Sequence, residues 1–240
     1  MSCETQLCAT YHDLAKSMDS AKTTHALILD FKKAFDKVPH LLLLQKLRNI
    51  PDLDITLMDW IQDFLTSRTQ KVVVNGQVSS TCNVTSGVPQ GSVLGPTLFL
   101  LYINDLPDTV TCNTSLYADD TLLYQEVNTK QDQLDFQANI DAVYEWSQKW
   151  EMPFNVTKCH AMAFNSRAVL PSYRLDTTNV LWVEETRYLG VTLQQNLKVD
   201  KHISEKVDKA SRILGTIKHT KRTTPEKKVN WWPILASLDR

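Results

Sequence analysis

The sequence contains few glycines and cysteines and lacks a long uncharged apolar run. A membrane-spanning helix needs about 20 predominantly apolar residues, and no stretch of this chain meets that requirement, so we predict no membrane span. The residues after Met1 lack the basic and then apolar pattern of a secretory signal. The five cysteines, at 3, 8, 82, 112 and 159, are odd in number and form no C-x-x-C pair. This argues against a disulfide framework or zinc site and indicates reduced thiols inside a cell.

The net charge of −1 conceals an uneven distribution. Residues 198–228 contain ten Lys or Arg and four Asp or Glu, so the rest of the chain is acidic. A basic end on an acidic body fits a protein that holds a polyanion at one place and cations at another. A solvated helix face is the alternative interpretation of the basic stretch.

Hydrophobic periodicity predicts an α+β fold, because helices and strands occur without regular alternation. The Asn75-Gly76 pair is typical of a type I′ hairpin turn. The predicted helices are 12–18, 39–49, 54–67, 97–104, 130–150 and 200–218, and the predicted strands are 24–30, a hairpin over 70–79, two strands within 116–124, and pieces at 159–164, 179–184 and 187–193.

Three aspartates stand in apolar surroundings. Asp30 ends an apolar strand, and Asp119 and Asp120 are flanked by leucines and tyrosines. Such charges need compensation, and adjacent carboxylates raise one another's pKa. A divalent cation removes both difficulties, and a few hard oxygen ligands with phosphate oxygens completing the shell are the magnesium pattern. Taken alone, however, an Asp-Asp pair is ordinarily a turn or a helix cap.

The segment 86–96 holds three of the six glycines and two prolines. Glycine permits close backbone approach, so this loop could lie against a nucleotide or a template base. Alternatively, it is a tight connection that packs a helix on a sheet.

These segments resemble motifs A, B and C of reverse transcriptases from non-LTR (LINE-type, jockey-like) retrotransposons. Residues 30–40 resemble motif A, residues 86–96 continuing through 98–107 resemble motif B, and Tyr117 to Asp120 resembles motif C. Residues 153–159 resemble motif D, and residues 187–193 resemble motif E, the primer grip. The segments occur in the family order, and the resemblance extends to about residue 215.

The resemblance implies a metal site for two Mg²⁺ ions, for which Mn²⁺ can substitute. Asp30 and Asp119 would bind both ions, Asp120 would assist, and the Phe31 carbonyl would bind the nucleotide-side ion. Asp36 is interpreted as structural.

The resemblance also implies sites for nucleotide and primer. Phe35 would lie under the sugar and exclude a 2′-hydroxyl, and Gln90 and Gly91 would line the nucleotide pocket. Lys158 would position or protonate the departing pyrophosphate, although an ordinary surface lysine is equally consistent. The primer grip would contain Tyr188, Leu189 and Gly190. Separately, Asp105 and Asp108 are interpreted as helix-end or loop residues.

The fold implied is a polymerase palm, an antiparallel sheet covered by helices on one face. We expect a fingers remnant at 1–29, the palm at 30–195, and a basic helix with a divergent tail that begins the thumb at 196–240. Most of the fingers, part of the thumb and an endonuclease region would be missing.

The function implied is RNA-directed DNA polymerisation with an RNA template, a DNA primer and dNTPs, inside the cell at a nuclear integration site or in the cytoplasm. The alternatives are an inactive remnant that at most binds nucleic acid, and an RNA-templated RNA polymerase, against which Phe35 argues.

Overall fold

The computed structural model describes residues 2–166 and 169–223, with side chains to residue 219. The basic stretch predicted at 198–228 is therefore described only to residue 223, and residues 224–240 of the predicted tail lie outside the described part. Short 3-10 turns occur at Pro107–Thr109 and Val156–Lys158. The α-helices of the described residues are α1 (Cys3–Asp19), α2 (Ala34–Lys37), α3 (His40–Arg48), α4 (Ile55–Leu65), α5 (Leu94–Ile103), α6 (Lys130–Lys149) and α7 (Asp200–Thr223).

The strands are short, and most of them pair locally as hairpins. In the described residues they are β1 (Thr24–Leu29), β2 (Thr69–Gln70), β3 (Val73–Val74), β4 (Gln77–Val78), β5 (Cys82–Asn83), β6 (Asn113–Tyr117), β7 (Asp120–Glu126), β8 (His160–Phe164), β9 (Arg174–Leu175), β10 (Thr178–Asn179), β11 (Leu181–Trp182), β12 (Glu185–Tyr188) and β13 (Val191–Gln194).

A five-stranded sheet with the order β11-β8-β1-β7-β6 forms the centre of the fold. Strand β1 is antiparallel to both of its neighbours, β7 and β8, whereas β11 runs parallel to β8. All six residues of β1 are buried, which requires cover on both faces of the sheet. The α+β prediction is confirmed, with a mainly antiparallel sheet at its centre.

The two faces of the sheet belong to two hydrophobic clusters. Leu27 and Leu29 of β1 lie in the larger cluster, which includes residues of α3, α4, α5 and α6. Ala26 and Ile28, one residue out of step, lie in the smaller cluster on the other face. This alternation is the two-residue period of a strand, and it fixes the direction of each side chain on β1.

The second face of the sheet is covered by α1 and by the β12–β13 hairpin. Leu14 of α1 and Leu193 of β13 are buried there, and Leu7, Tyr11 and Met18 pack against them. The resemblance predicted helices on one face, so α1 on the opposite face is an addition to that architecture. Its apolar residues recur at helical spacing and need a partner surface, which β1 and β7 supply.

Helix and strand boundaries differ from the predictions where local signals are weak. Helix α1 begins at Cys3 and not at residue 12, because Ser2 caps it by accepting from Thr5 N. Helix α5 begins at Leu94, three residues earlier than predicted, because proline is tolerated in a first turn. The predicted strand at 179–184 is divided between β10 and β11.

The predicted hairpin over 70–79 is present as β3 and β4. Asn75 and Gly76 both have positive φ, 50° and 79°, as a type I′ turn requires. No helix of the described residues is long and apolar enough to span a membrane.

Candidate active site

Strand register brings the three predicted aspartates to one end of the sheet. Leu29, the last residue of β1, pairs with Thr121 of β7, so the next residues along, Asp30 and Asp120, face each other across the two strands. Asp119 lies in the turn between β6 and β7, where Tyr117 pairs with Asp120. Two segments about 90 residues apart in sequence thus meet through one antiparallel ladder.

The turn that carries Asp119 is strained. Ala118 has a φ of 50°, a region that non-glycine residues rarely adopt and that costs about 1–2 kcal/mol. The β6–β7 ladder on one side and the buried residues of β7 on the other hold the turn in place. These contacts therefore hold the strained turn in one conformation, and that conformation sets the position of the Asp119 carboxylate at the end of the sheet.

The carboxylates interact electrostatically. Desolvation, followed by the charges of Asp119 and Asp30, raises the pKa of the Asp120 carboxyl. On the opposite side, Lys158 Nζ lies 3.6 Å from Asp30 Oδ2, with 66% of the lysine side chain exposed. The site therefore concentrates negative charge, and the exposed ammonium of Lys158 lies at its edge.

The backbone of Asp30 is fixed by the segment that resembles motif D. Asn155 N donates to Asp30 O at 2.7 Å, and Lys32 N donates to Pro153 O at 2.8 Å. Next to Asp30, the buried Phe31 ring stacks on Phe154 with 4.6 Å between ring centroids. These contacts place Lys158 beside Asp30, while its nucleotide role and the metal role of the Phe31 carbonyl stay predictions.

The loop 86–96 packs tightly against the turn that follows Asp30. Val88 N donates to Phe35 O, and Gly87 N donates to Val38 O, both at 2.8 Å. Gly87 has a φ of +89°, and a Cβ there would lie 2.9 Å from the Asp36 backbone, so only glycine fits. The tight connection that the sequence left as an alternative is therefore real, and it aligns the loop with the candidate site.

Gln90 and Gly91 are exposed at the end of this loop. Gln90 Nε2 donates to Asp36 Oδ1 at 2.8 Å, and Ser86 Oγ donates to Asp36 O at 3.0 Å. These contacts support the structural interpretation of Asp36, since the aspartate connects the segments that resemble motifs A and B. Gly91 has a φ of +80° and open space around it.

Phe35 lines a cavity next to the aspartate turn. One face of its ring stacks on Phe99, with centroids 4.4 Å apart. The ring also borders a cavity of about 340 Å³ that is shared with Leu116, Tyr117 and Ala118. The phenylalanine therefore packs against the core and borders the cavity at the same time.

The segment predicted as a strand over 187–193 is a hairpin. Leu189 and Gly190 form its two-residue turn with φ values of 47° and 78°, and Tyr188 pairs with Val191. Tyr188 is buried, whereas Gly190 is exposed. The three predicted primer-grip residues thus occupy the tip and the anchor of one hairpin.

A hydrogen-bond network that the sequence did not reveal connects this hairpin to the aspartate turn. Buried Ser115 of β6 has its Oγ 2.6 Å from the Tyr188 hydroxyl and 3.2 Å from Thr10 Oγ1. Gln6 Nε2 donates to the same oxygen. Ser115 lies four residues before Asp119 on the strand that leads into the turn, so the network fixes the hairpin relative to the carboxylates.

Comparison with known proteins identifies this arrangement. A family model described as "Reverse transcriptase (RNA-dependent DNA polymerase)" matches residues 2–193. The chain belongs to the reverse transcriptase family.

Relatives agree with the family assignment. The chain is 31% identical over 199 residues to the RNA-directed DNA polymerase from mobile element jockey of Drosophila melanogaster, a match covering 79% of this chain and 22% of that protein. It is 30% identical over 210 residues to the probable RNA-directed DNA polymerase from transposon X-element of the same species, covering 83% and 23%. The predicted resemblance to reverse transcriptases of non-LTR retrotransposons is confirmed. The chain spans less than a quarter of the length of these curated relatives.

Solved structures that share the fold include telomerases. Apo telomerase from Candida tropicalis superposes with a TM-score of 0.55 at 13% identity, over 82% of this chain and 35% of that chain. Telomerase from Candida albicans in complex with a fragment of telomeric RNA gives 0.51 at 13% identity, over 80% and 33%. At this identity the likeness concerns the fold alone, and it is consistent with the predicted palm.

The donor set of this reverse transcriptase fits magnesium by chemistry. Among the described residues, no three His, Cys, Asp or Glu side chains form a ready-made metal cluster. Asp30 and Asp119 nevertheless both raise the pKa of Asp120, so the three carboxylates lie within range of one another. Mg²⁺ is bound through few carboxylates and completes its shell with water and substrate phosphates, which suits an open set of this kind.

A buried lysine behind the site escaped the sequence predictions. Lys46 of α3 donates to Asp105 Oδ1 and to Tyr102 O. Its ammonium also lies 3.9 Å from the Trp150 ring centroid and 4.9 Å from that of Trp146. Asp105 lies in the turn after α5, as the helix-end or loop interpretation has it, and it also connects α3 to α6, because Trp146 Nε1 donates to it at 3.0 Å. Trp146 of α6 and Trp150 just after that helix, four residues apart, were the available signal.

Proposed function

We propose that this chain is the catalytic palm of an RNA-directed DNA polymerase that transfers dNTPs to the 3′-hydroxyl of a primer on an RNA template. One observation carries the proposal. Asp30, Asp119 and Asp120 converge at one end of the sheet, beside a cavity lined by Phe35 and Ala118. Membership of the family and similarity to polymerases of mobile elements support it.

Asp30 and Asp119 would hold two Mg²⁺ ions, with Asp120 and the Phe31 carbonyl assisting. When bound, the ions supply activation of the attacking hydroxyl and stabilisation of the leaving phosphate oxygen. The chain itself supplies the negative charge, and the strand ends hold that charge in position. Desolvation, and then repulsion by Asp119 and Asp30, raises the pKa of Asp120, and divalent cations would relieve the repulsion.

The cavity of about 340 Å³ next to Ala118 would receive part of the incoming nucleotide. Its volume lies within the range of small-molecule sites, about 300–1,000 Å³. Phe35 is fixed from behind by Phe99, so its ring cannot easily withdraw from a 2′-hydroxyl. Gln90 and Gly91 would border the base, and Lys158, beside Asp30, would hold the departing pyrophosphate.

The β12–β13 hairpin would hold the primer. Its turn residues, Leu189 and Gly190, project beyond the buried Tyr188, which Ser115 anchors. Strand β6 contacts the hairpin through Ser115 and leads into the turn that carries Asp119. The position of the primer and the position of the carboxylates would thus both depend on this strand. In-line phosphoryl transfer depends on such positioning, because small misplacements of the reacting atoms cost large factors in rate.

Primer extension tests the proposal. The 240-residue chain is incubated with a labelled DNA primer on an RNA template, dNTPs and Mg²⁺, and incorporation is compared with that of Asp30→Ala and Asp119→Ala. We expect both variants to fall to the level of the reaction without protein. Asp108→Ala is the matched control, since it removes an exposed aspartate outside the site and should leave incorporation unchanged.

Two results would contradict the proposal in different ways. Undiminished incorporation by Asp119→Ala would show that the metal assignment is wrong. A wild-type chain that binds the hybrid without extending it, over a range of Mg²⁺ and Mn²⁺ concentrations, would favour the non-catalytic remnant. Incorporation of ribonucleotides in preference to deoxynucleotides would favour the RNA polymerase alternative.

A further inference from the structure

A second, polar cavity lies behind the loop that carries Gln90. Its volume is about 600 Å³, and it is an open groove lined by residues of β2 and β5 and by residues 84–90. Gln70, Asn83 and Thr85, whose side chains carry amide or hydroxyl groups, line it together with Arg68. None of these four residues has a role in the proposed metal, nucleotide or primer sites.

Arg68 is placed to bind a ligand. Its carbonyl accepts from Val84 N at 2.9 Å, so the backbone at this position is fixed by the β2–β5 pairing. Its side chain is half-buried, and within the described part of the chain its guanidinium makes no hydrogen bond or ion pair. A guanidinium offers five donors in a rigid fork that matches phosphate oxygens.

The cavity favours an anion. Asp36 is the one acidic side chain among the residues that line it, all of which the structure describes. The Oδ1 atom of Asp36 is already occupied, since it accepts from Gln90 Nε2 at 2.8 Å. The remaining side chains add donors, and none adds a second carboxylate. A phosphate group is the ligand chemistry that this set of donors fits.

The position of the Arg68 cavity relative to the proposed nucleotide site indicates which phosphate it would bind. Phe35 lines the apolar cavity beside Ala118, whereas the next residue, Asp36, lines the Arg68 cavity. Gln90, which would border the nucleotide base, lies at the edge of the Arg68 cavity. If Gln90 borders the nucleotide base, as proposed above, a template strand paired with that nucleotide would continue past Gln90 and away from the carboxylates.

We propose that Arg68 binds a backbone phosphate of the RNA template on the 5′ side of the templating base. The inference rests on the proposed function, because it takes the direction of the strand from the nucleotide site. A phosphate contact of this kind fixes the position of the template without reading its sequence. The Arg68 cavity is therefore a subsite for unpaired template and is separate from the site for the dNTP triphosphate.

Hybrids that differ only in the template end test the proposal. Affinity of the 240-residue chain is measured by fluorescence anisotropy for a primer–template with a short single-stranded 5′ template extension and for the same hybrid ending flush with the primer. The proteins compared are wild type, Arg68→Gln, Arg68→Lys and Lys71→Gln. Lys71 is the matched control, since it is an exposed cation nearby that does not line the cavity.

We expect Arg68→Gln to weaken binding of the extended hybrid by about five- to tenfold, the loss of one charge-assisted contact. The dependence of its log affinity on log salt should fall by about 0.7, the value for one phosphate of a single strand. Binding of the flush hybrid should not change, which also shows that the variant is folded. Arg68→Lys should be intermediate, and Lys71→Gln should resemble wild type.

Three results would overturn the inference. Equal losses for both hybrids would place Arg68 on the duplex, and unchanged affinity for both would remove it from the nucleic-acid path. A higher KM for dNTP on both hybrids would assign the arginine to the triphosphate. The proposed function fails separately, if the wild-type chain binds neither hybrid.

Discussion

Replacing Asp105 by asparagine is expected to destabilise the fold more than replacing Lys46 by methionine, although both changes remove the same ion pair. The asymmetry follows from burial. The Lys46 side chain is 10% exposed, whereas that of Asp105 is 44% exposed. Removing the aspartate charge leaves an ammonium buried without its counter-ion, whereas removing the lysine leaves a carboxylate that water can still reach.

The magnitudes follow from the partners that remain. In Asp105→Asn, the amide oxygen and the Tyr102 carbonyl can still accept from Lys46, so we expect a loss of about 2–3 kcal/mol, below the 3–5 typical of a fully broken buried pair. In Lys46→Met, an apolar chain of similar length occupies the space between the Trp146 and Trp150 rings. Because no buried charge remains, that change should cost within about 1 kcal/mol.

The pH dependence provides an independent check. Desolvation lowers the pKa of Lys46, while the hydrogen bond and charge of Asp105 oppose that effect. Because the pKa is lower in the folded chain than in the unfolded chain, the unfolded chain binds more protons between the two values, and stability rises with pH across that window. Loss of Asp105 should lower the pKa of Lys46 in the folded chain further, so the pH range between the folded and unfolded pKa values extends to lower pH. The deficit of Asp105→Asn should therefore shrink as the pH rises from neutral towards about 10.4, the ordinary pKa of lysine.

Urea unfolding followed by tryptophan fluorescence measures these differences, since Trp146 and Trp150 flank the ammonium. Lys149→Met is the control, because this exposed lysine lies 5.2 Å from the Trp150 ring and should change stability by less than about 0.5 kcal/mol. The double variant should recover most of the loss of Asp105→Asn. If Lys46→Met is as costly as Asp105→Asn, the buried cation is not the source of the effect and the reasoning is refuted.

Three further changes have defined outcomes. Phe35→Ala should relax discrimination against ribonucleotides by about tenfold or more in competition primer extension, and unchanged discrimination would remove the ring from the sugar site. Gly87→Ala should lower the free energy of unfolding, measured in urea, by about 2–4 kcal/mol, because the new Cβ would lie 2.9 Å from the Asp36 backbone at a φ of +89°. Gly91→Ala is the control: its Cβ would lie in open space, so only the positive φ should cost, about 1 kcal/mol. Asp120→Asn should raise the Tm measured without metal at neutral pH. The pKa of Asp120 is higher in the folded chain than in the unfolded chain, so its ionised form opposes folding. The gain in Tm should vanish as the pH falls below about 3.9, where the carboxyl is protonated in both states.

The local signals of the sequence predicted the elements of the site well. The short apolar run before Asp30 predicted a buried strand, and the apolar segments on either side of Asp119 predicted two strands with a bend between them. All of these segments are strands in the structure. Asn75-Gly76 predicted its turn because both residues tolerate positive φ. The Leu189-Gly190 turn was missed, since leucine at positive φ is disfavoured and carries no turn signal.

Tertiary contacts were beyond the reach of such signals. Lys46 follows Gln45 on a short helix, and a charged residue there indicates solvent. Its burial depends on Tyr102 and two tryptophans that approach only after α3, α5 and α6 pack together. Ser115 has an ordinary strand position, and its importance comes from three partners on other elements. Arg68 in turn gains its setting from the pairing of β2 with β5.

Two lysine–aspartate pairs in this fold show how burial decides whether an ion pair holds elements together or can separate to bind other ions. The Lys46 side chain is 10% exposed and its ammonium lies against aromatic rings, so removing Asp105 would leave a charge without its counter-ion. The pair also connects three helices. Lys158 and Asp30 lie 3.6 Å apart, with 66% of the lysine side chain and 37% of the aspartate side chain exposed. An exposed pair of that kind contributes less than about 1 kcal/mol. Lys158 can therefore leave Asp30 at little cost when a stronger cation arrives, and we expect the displaced ammonium to be free for a phosphate at the same edge of the site.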